Sequence, residues 1–372
     1  MGAPMPDVLK PSLNWLLPLV PLTIVLHYAA PESHTLVFIL AGIAIVPLAG
    51  WMGKATEHLA DKTGEGIGGL LNASFGNLAE IIIAIFALRE GLTGIVKASL
   101  TGSIIGNALL ILGASMLAGG LKYRIQEYSG TGARTNSTTL TLAAVALIAP
   151  AAFHYLGGPE AVVDESRLSL IIGVLLLVTY ASSLLFSLHT HAGYFTREAA
   201  ETAAIESGHQ IWSVRKSLGV LIAATAVVSW LAEILVGSVE PAAEALGMTQ
   251  VFVGVIVVAI VGNAAEHSSA ILMALEDRMD LTLNIAIGSS TQIALFAAPL
   301  LVMLSYVIGP SPMDLVFTPA EVLAVVLSVA VVSLVAEDGE SNWLEGVQLL
   351  AVYLILATLF YFLPETAGGG AE

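Results

Sequence analysis

The sequence predicts an all-α membrane protein of eleven transmembrane helices, and three observations carry that prediction. Of its 372 residues, 56% are hydrophobic and only 11% charged, with a mean hydropathy of +0.87. A soluble domain carries about 25% charged residues, so most of this surface is built to face lipid. Apolar runs close to the ~20 residues that cross a bilayer recur eleven times. Finally, one short acidic motif appears twice inside those apolar runs, at residues 76–80 and 262–266.

Taken in order, the runs lie near 14–30, 36–53, 68–89, 96–121, 137–156, 168–190, 217–237, 249–275, 281–308, 319–336 and 343–363. The connections hold breakers: Pro31, Gly130 with Gly132, Gly157 to Pro159, Pro241, Gly309 to Pro312 and Gly339. With eleven spans, one side receives Lys10, Lys54, Lys62, Lys122, Arg124, Arg134, Arg197, Arg215, Lys216 and Arg278, and the other only Arg89, Lys97 and Arg167. The excess of basic residues marks the cytoplasmic side, which places the N-terminus inside and the C-terminus outside. The longest connection, 191–216, mixes Arg197, Glu198, Glu201 and Glu206 with apolar residues at helical spacing and reads as a cytoplasmic linker.

Composition also excludes several functions. The chain has no cysteine, so disulfides, thiolate metal sites and cysteine nucleophiles are absent. Net charge is −16, the carboxylates are scattered, and no basic patch suits nucleic acid. No H-E-x-x-H or G-x-S-x-G motif is present, so an intramembrane hydrolase is not expected. The first apolar run lacks a cleavage pattern and reads as a retained helix.

Residues 76–80 read GNLAE and 262–266 read GNAAE, which sets Glu80 and Glu266 186 positions apart. At that same offset Gly102-Ser103 matches Gly288-Ser289, and Ala108-Leu109 matches Ala294-Leu295. The expected organisation is an extra N-terminal helix in 1–35, a five-helix repeat in 36–190, the linker 191–216 and a second repeat in 217–363, together one membrane domain. Five spans is an odd number, so the second repeat is inverted relative to the first. Secondary transporters use such repeats and bind their cargo where the halves meet, near mid-bilayer.

A carboxylate inside a spanning helix costs several kcal/mol unless it faces the bundle interior, where it marks an ion path. The alternative for one such Glu is a polar lock between helices; two at matching positions favour a site. Asn77 and Glu80, like Asn263 and Glu266, are spaced i, i+3 and share a helix face. The Gly at 76 or 262 lets a neighbour approach or the backbone loosen. The following helices add Ser103 and Asn107 in GSIIGN, and Ser289, Ser290, Thr291 and Gln292 in GSSTQIALF. Together these residues offer an all-oxygen cage, suited to a hard cation such as calcium. Nothing soft is present for copper or iron–sulfur chemistry, and no cofactor is expected. Two carboxylates held together away from water repel each other, and either one divalent cation or protons relieve that repulsion. Competition of this kind yields antiport. His267, directly after Glu266, is a candidate proton relay, or else a histidine hydrogen-bonded within the bundle.

GNLAE followed by GSIIGN, and GNAAEH followed by GSSTQIALF, resemble the paired motifs of the calcium/proton exchanger family within the cation/calcium exchanger superfamily. LLFSLHTH at 184–191 and DGESNWLEG at 338–346 extend the likeness, which runs from about 36 to 363. The resemblance implies eleven helices with inverted halves and exchange of cytosolic calcium for protons. It implies a site centred on Glu80 and Glu266, with Asn77, Ser103, Asn107, Asn263, Ser289 and Gln292 as polar site residues. The sequence lacks the long N-terminal extension and long acidic loop of some eukaryotic relatives and looks like the compact prokaryotic form, which favours the cell membrane. Calcium and protons are then the substrates and lipid the solvent, while a homo-oligomer is neither required nor excluded. The rival readings are a sodium/calcium exchanger of the same superfamily and a cation channel.

Overall fold

A computed structural model of the chain describes residues 13–63, 71, 75–157, 162–190 and 212–364. The chain is predominantly helical. A 3-10 turn at Leu13–Leu16 leads into α1 (Leu19–Ala29) and α2 (His34–Thr63), followed by α3 (Leu78–Arg89) and α4 (Thr93–Lys122). Next come strand β1 (Gln126–Glu127), α5 (Gly130–Gly157) and α6 (Val162–Leu185), which ends in a π turn at Phe186–Thr190. Then follow α7 (Val214–Gly237), α8 (Val239–Leu246), α9 (Gln250–Leu275), α10 (Met279–Ile308), α11 (Pro319–Val335), β2 (Glu340–Ser341) and α12 (Trp343–Phe362). Eight of these helices, α2, α4, α5, α6, α7, α9, α10 and α12, are long and apolar enough to cross a bilayer, and Leu13–Ala29 and Pro319–Val335 are shorter apolar helices.

Helix occurs within each of the eleven marked segments, with informative differences at their edges. The second apolar run ends near residue 53, yet α2 continues to Thr63, so the helix is about 45 Å long. Hydropathy marks where lipid ends and does not mark where the hydrogen-bond ladder ends. Only residue 71 and residues 75–89 of the third segment are described, and 191–211 of the linker lie outside the described residues. Two elements were not expected. Pro241 sits in the first turn of α8, where its missing N–H removes no helix bond, and Gly247 closes that helix at φ +65°. The β1–β2 pair is antiparallel, with Gln126 opposite Ser341, and joins the connection after α4 to the one before α12.

Local chemistry fixes the ends that orient the bundle. Thr318 and Glu321 form a capping box at the start of α11, with Pro319 in the first turn, and Asn342 and Glu345 form another on α12. Thr249 caps α9 by accepting from the Phe252 backbone N–H. Packing then relies on close helix contact, because lipid is as apolar as the side chains and burial alone drives little association. α7 lies along α2, and α12 lies along the second half of α4. In the latter seam a Cβ on Gly346 would strike the Leu117 backbone, one on Gly120 the Trp343 backbone, and one on Gly113 would lie 2.9 Å from the Leu349 Cβ.

Gly346→Ala is therefore expected to destabilise the protein by about 1–3 kcal/mol through overpacking. Thermal unfolding in detergent would read this as a lowered melting temperature. Gly219→Ala, where a Cβ would meet no described atom within 4 Å, should leave it unchanged.

Candidate functional site

The two acidic motifs meet in the middle of the bundle, but their backbones differ. Asn263 and Glu266 lie inside α9 and share its face as expected. In the first motif Gly76 and Asn77 form a turn, and Asn77 stands just before α3. The expectation that Asn77 and Glu80 share one continuous helix therefore gives way to a break at Gly76-Asn77. The Asn77 side chain makes no cap bond and reaches across to α10, where its amide donates to Gln292 Oε1 at 2.9 Å.

The other polar residues form one directed chain. His267 Nε2 lies 3.2 Å from Asn107 Oδ1, Asn107 Nδ2 donates to Asn263 Oδ1 at 3.0 Å, and Asn263 Nδ2 donates to Ser103 Oγ at 2.9 Å. Ser103 Oγ in turn donates to Glu80 Oε1 at 2.9 Å. Every link points toward Glu80. Because the Asn107 amide nitrogen is committed to Asn263, its oxygen faces the imidazole, and His267 must carry its proton on Nε2. Asn77, Ser103, Asn107, Asn263, His267 and Ser289 are all buried. His267 thus sits at the far end of this chain from Glu80, consistent with its position 100° around α9 from Glu266.

Glu80 and Glu266 are half-buried and close enough for their charges to interact. Ser289 hydrogen-bonds the Glu266 carboxylate. Among the described residues, Glu266 Oε2 and Asn77 Oδ1 are buried without a partner. Unpaired buried oxygens are costly. Each carboxylate faces its own space. A cavity of about 530 Å³ is lined by Glu266, Ser289 and Gln292 and also by Asn284, Lys54 and Glu57. Glu80 borders a space of about 20 Å³, roomy enough for one water, together with Ser99 and Ser103.

Two features escaped sequence reasoning. The sequence suggested that Gly262 lets a helix approach, whereas what approaches is the Glu80 side chain: a Cβ on Gly262 would lie 2.7 Å from Glu80 Cγ. π turns also interrupt α4 at Gly106–Ile111 and α10 at Ile293–Ala297, just after the polar clusters. Such turns collect at functional sites. Nothing in residue type separates them from ordinary helix, although a polar cluster abutting an apolar run at the same place in both repeats was a usable hint.

Membrane-length helices wrapped around paired carboxylates define an integral membrane protein with a polar centre. The family model described as "Sodium/calcium exchanger protein" matches residues 33–189 and again 216–362. The Ca(2+)/H(+) antiporter of Synechocystis sp. is 46% identical over 362 residues, covering 94% of this chain and 96% of the relative. The Ca(2+)/H(+) antiporter ChaA of Bacillus subtilis is 45% identical over 351 residues, covering 92% and 97%. The crystal structure of the Ca2+/H+ antiporter YfkE superposes with a TM-score of 0.81 at 42% identity, covering 94% of this chain and 99% of that one. The chain belongs to the sodium/calcium exchanger protein family.

Gly262→Ala is expected to push Glu80 off Ser103 and weaken cation binding about tenfold, equivalent to about 1.4 kcal/mol. Calcium titration of the purified protein by calorimetry checks this.

Proposed function

We propose that the protein is a secondary antiporter that exchanges calcium for protons across the prokaryotic cell membrane, with Glu80 and Glu266 taking metal and protons in turn. One observation carries the reading: two carboxylates from matching motifs share a centre in which Glu266 Oε2 and Asn77 Oδ1 have no partner. Two formal negatives balance one divalent cation, and oxygen donors suit calcium. The antiporter names of relatives that are 45–46% identical over nearly the whole chain support the choice of ions.

In this reading the chain crosses the membrane eleven times, with α1, α3 and α11 joining the eight longer spans. Residues 1–35 hold an extra helix, 36–190 and 217–363 are inverted halves, and 191–216 link them. Three observations support the repeat. The family model matches twice, over 33–189 and 216–362. The π turns of α4 and α10 fall at nearly the same place on the 186-residue offset. Ser290 Oγ also donates to Ile104 O at 3.2 Å. These two residues are themselves 186 apart, and a residue meets its own counterpart only near a two-fold axis.

Calcium enters by the large cavity, on the side that the basic residues mark as cytoplasmic, and is held by Glu266, Glu80 and the unpartnered amide oxygen of Asn77. Ser103, Asn107, Asn263 and His267 hold the Glu80 carboxylate in place through their directed chain. Ser289 does the same for Glu266, and the Asn77 amide is steadied by Gln292. Rocking of one half against the other would then close the large cavity and open the small one. Protons arriving from that side neutralise the carboxylates, release the metal and return with them.

In proteoliposomes under an imposed pH gradient, Glu80→Gln and Glu266→Gln are each expected to abolish calcium movement, since an amide neither titrates nor supplies the charge. Full pH-driven transport in either variant overturns the assignment. Calcium uptake driven by a sodium gradient at clamped pH would favour the sodium/calcium exchanger reading, and downhill flux without proton counterflow would favour a channel.

A further inference from the structure

Glu321 is a buried carboxylate that the exchange site does not use. It is 3% exposed, at the start of α11. Its Oε2 serves its own helix, accepting from the Thr318 backbone N–H at 2.9 Å and the Thr318 hydroxyl at 2.8 Å. Its Oε1 turns to another helix and accepts from Thr101 Oγ1 of α4 at 3.5 Å. That bond is long and correspondingly weak. The second capping box shows that this arrangement is not a requirement of the motif. There, both oxygens of Glu345 turn back to Asn342, and the residue is only half-buried.

Thr101 occupies the same helix as the Glu80 partner. Lys97 and Thr101, four apart, form one face of α4, while Ser99 and Ser103 form another and border the small space beside Glu80. Lys97 donates to Asp314 Oδ1 at 3.0 Å and to Val316 O at 2.9 Å in the segment leading into α11. Among the described residues, the ionisable groups facing Glu321 are Lys97 from α4 and Tyr155 from α5; Asp314 faces Lys97. At the equivalent place in the other half, α5 and α10 are joined by neutral groups, Asn136 Nδ2 donating to Asn284 Oδ1 at 2.9 Å. Among the described residues, Glu321, Lys97 and Asp314 place ionisable groups between α4 and the start of α11 on the side away from the large cavity, the side from which protons are taken up in the proposed exchange.

We propose that Glu321 is a positioning residue for exchange: ionised, it holds the outer half of α4, and with it Ser103 and Glu80, in the closed arrangement through Thr101 and Lys97, and proton uptake there releases α4 so that this side opens. Protonation weakens both attachments, because the Thr101 bond loses its charge-assisted acceptor and Lys97 loses one of its two carboxylate neighbours. The inference rests on the proposed direction of exchange, but its test does not need calcium to move.

The chain contains no cysteine, so Ser99→Cys supplies a single thiol in the small space beside Glu80. In vesicles, a membrane-impermeant thiol reagent applied from the side away from the large cavity is expected to label it, after correction for the smaller thiolate fraction at lower pH, about fivefold faster as the pH on that side is lowered, the change allowed by loss of one weak contact. Adding Glu321→Gln, which retains the capping box, should abolish that pH dependence. Thr101→Val, which leaves the cap untouched, should reduce it likewise and carries the test if the Gln variant fails to fold. Labelling with the same pH profile in all three proteins overturns the proposal, as does a flat profile in the Ser99→Cys parent. Calcium exchange in the same vesicles reports separately on the proposed function.

Discussion

Two carboxylates in a low-dielectric interior repel each other and lose their water, and everything around Glu80 and Glu266 answers that constraint. Ser103 and Asn263 solvate one, Ser289 the other, the Asn107 amide holds Asn263 in turn, and Gln292 holds Asn77. The compensation stops short, leaving an oxygen on Glu266 and one on Asn77 unpaired. A site satisfied by its own protein would have no reason to accept an ion.

The same constraint explains the packing. Helices that carry this polar centre must exclude lipid from it, and they do so by approaching closely at glycines: Gly102 against the Val255 backbone, Gly254 against Ala98, and Gly262 against Glu80 itself. Gly262, at the head of the second acidic motif, therefore has a role in geometry: the space a side chain would fill there is taken by Glu80.

Hydropathy and breakers were enough to locate the eight long apolar helices, because lipid imposes a length and a composition that residues reveal directly. Pairing of the motifs picked out Glu80, Glu266 and polar residues that the fold brings together, because an amide or carboxylate within an apolar run has few uses. What stayed hidden depends on relations between distant residues. The break at Asn77, the directed chain from His267 to Glu80, and the turning of Glu321 Oε1 toward Thr101 each involve choices of rotamer or backbone that no local pattern dictates. The extension of α2 to Thr63 was hidden for another reason: beyond the lipid its residues become amphipathic, so the signal used to find it fades while the helix does not.

The glycine seam between α4 and α12 has a mechanical corollary. Residues Gly113 and Gly120 bolt the lower half of α4 to its neighbour, so that half behaves as ballast. The upper half, bearing Ser103, is separated from it by the π turn at Gly106–Ile111, where the hydrogen-bond ladder changes register. α4 is thus two rigid pieces fastened to different neighbours, the lower to α12 and the upper to α9 through Gly102, with the change of register at Asn107 lying between the two anchorages.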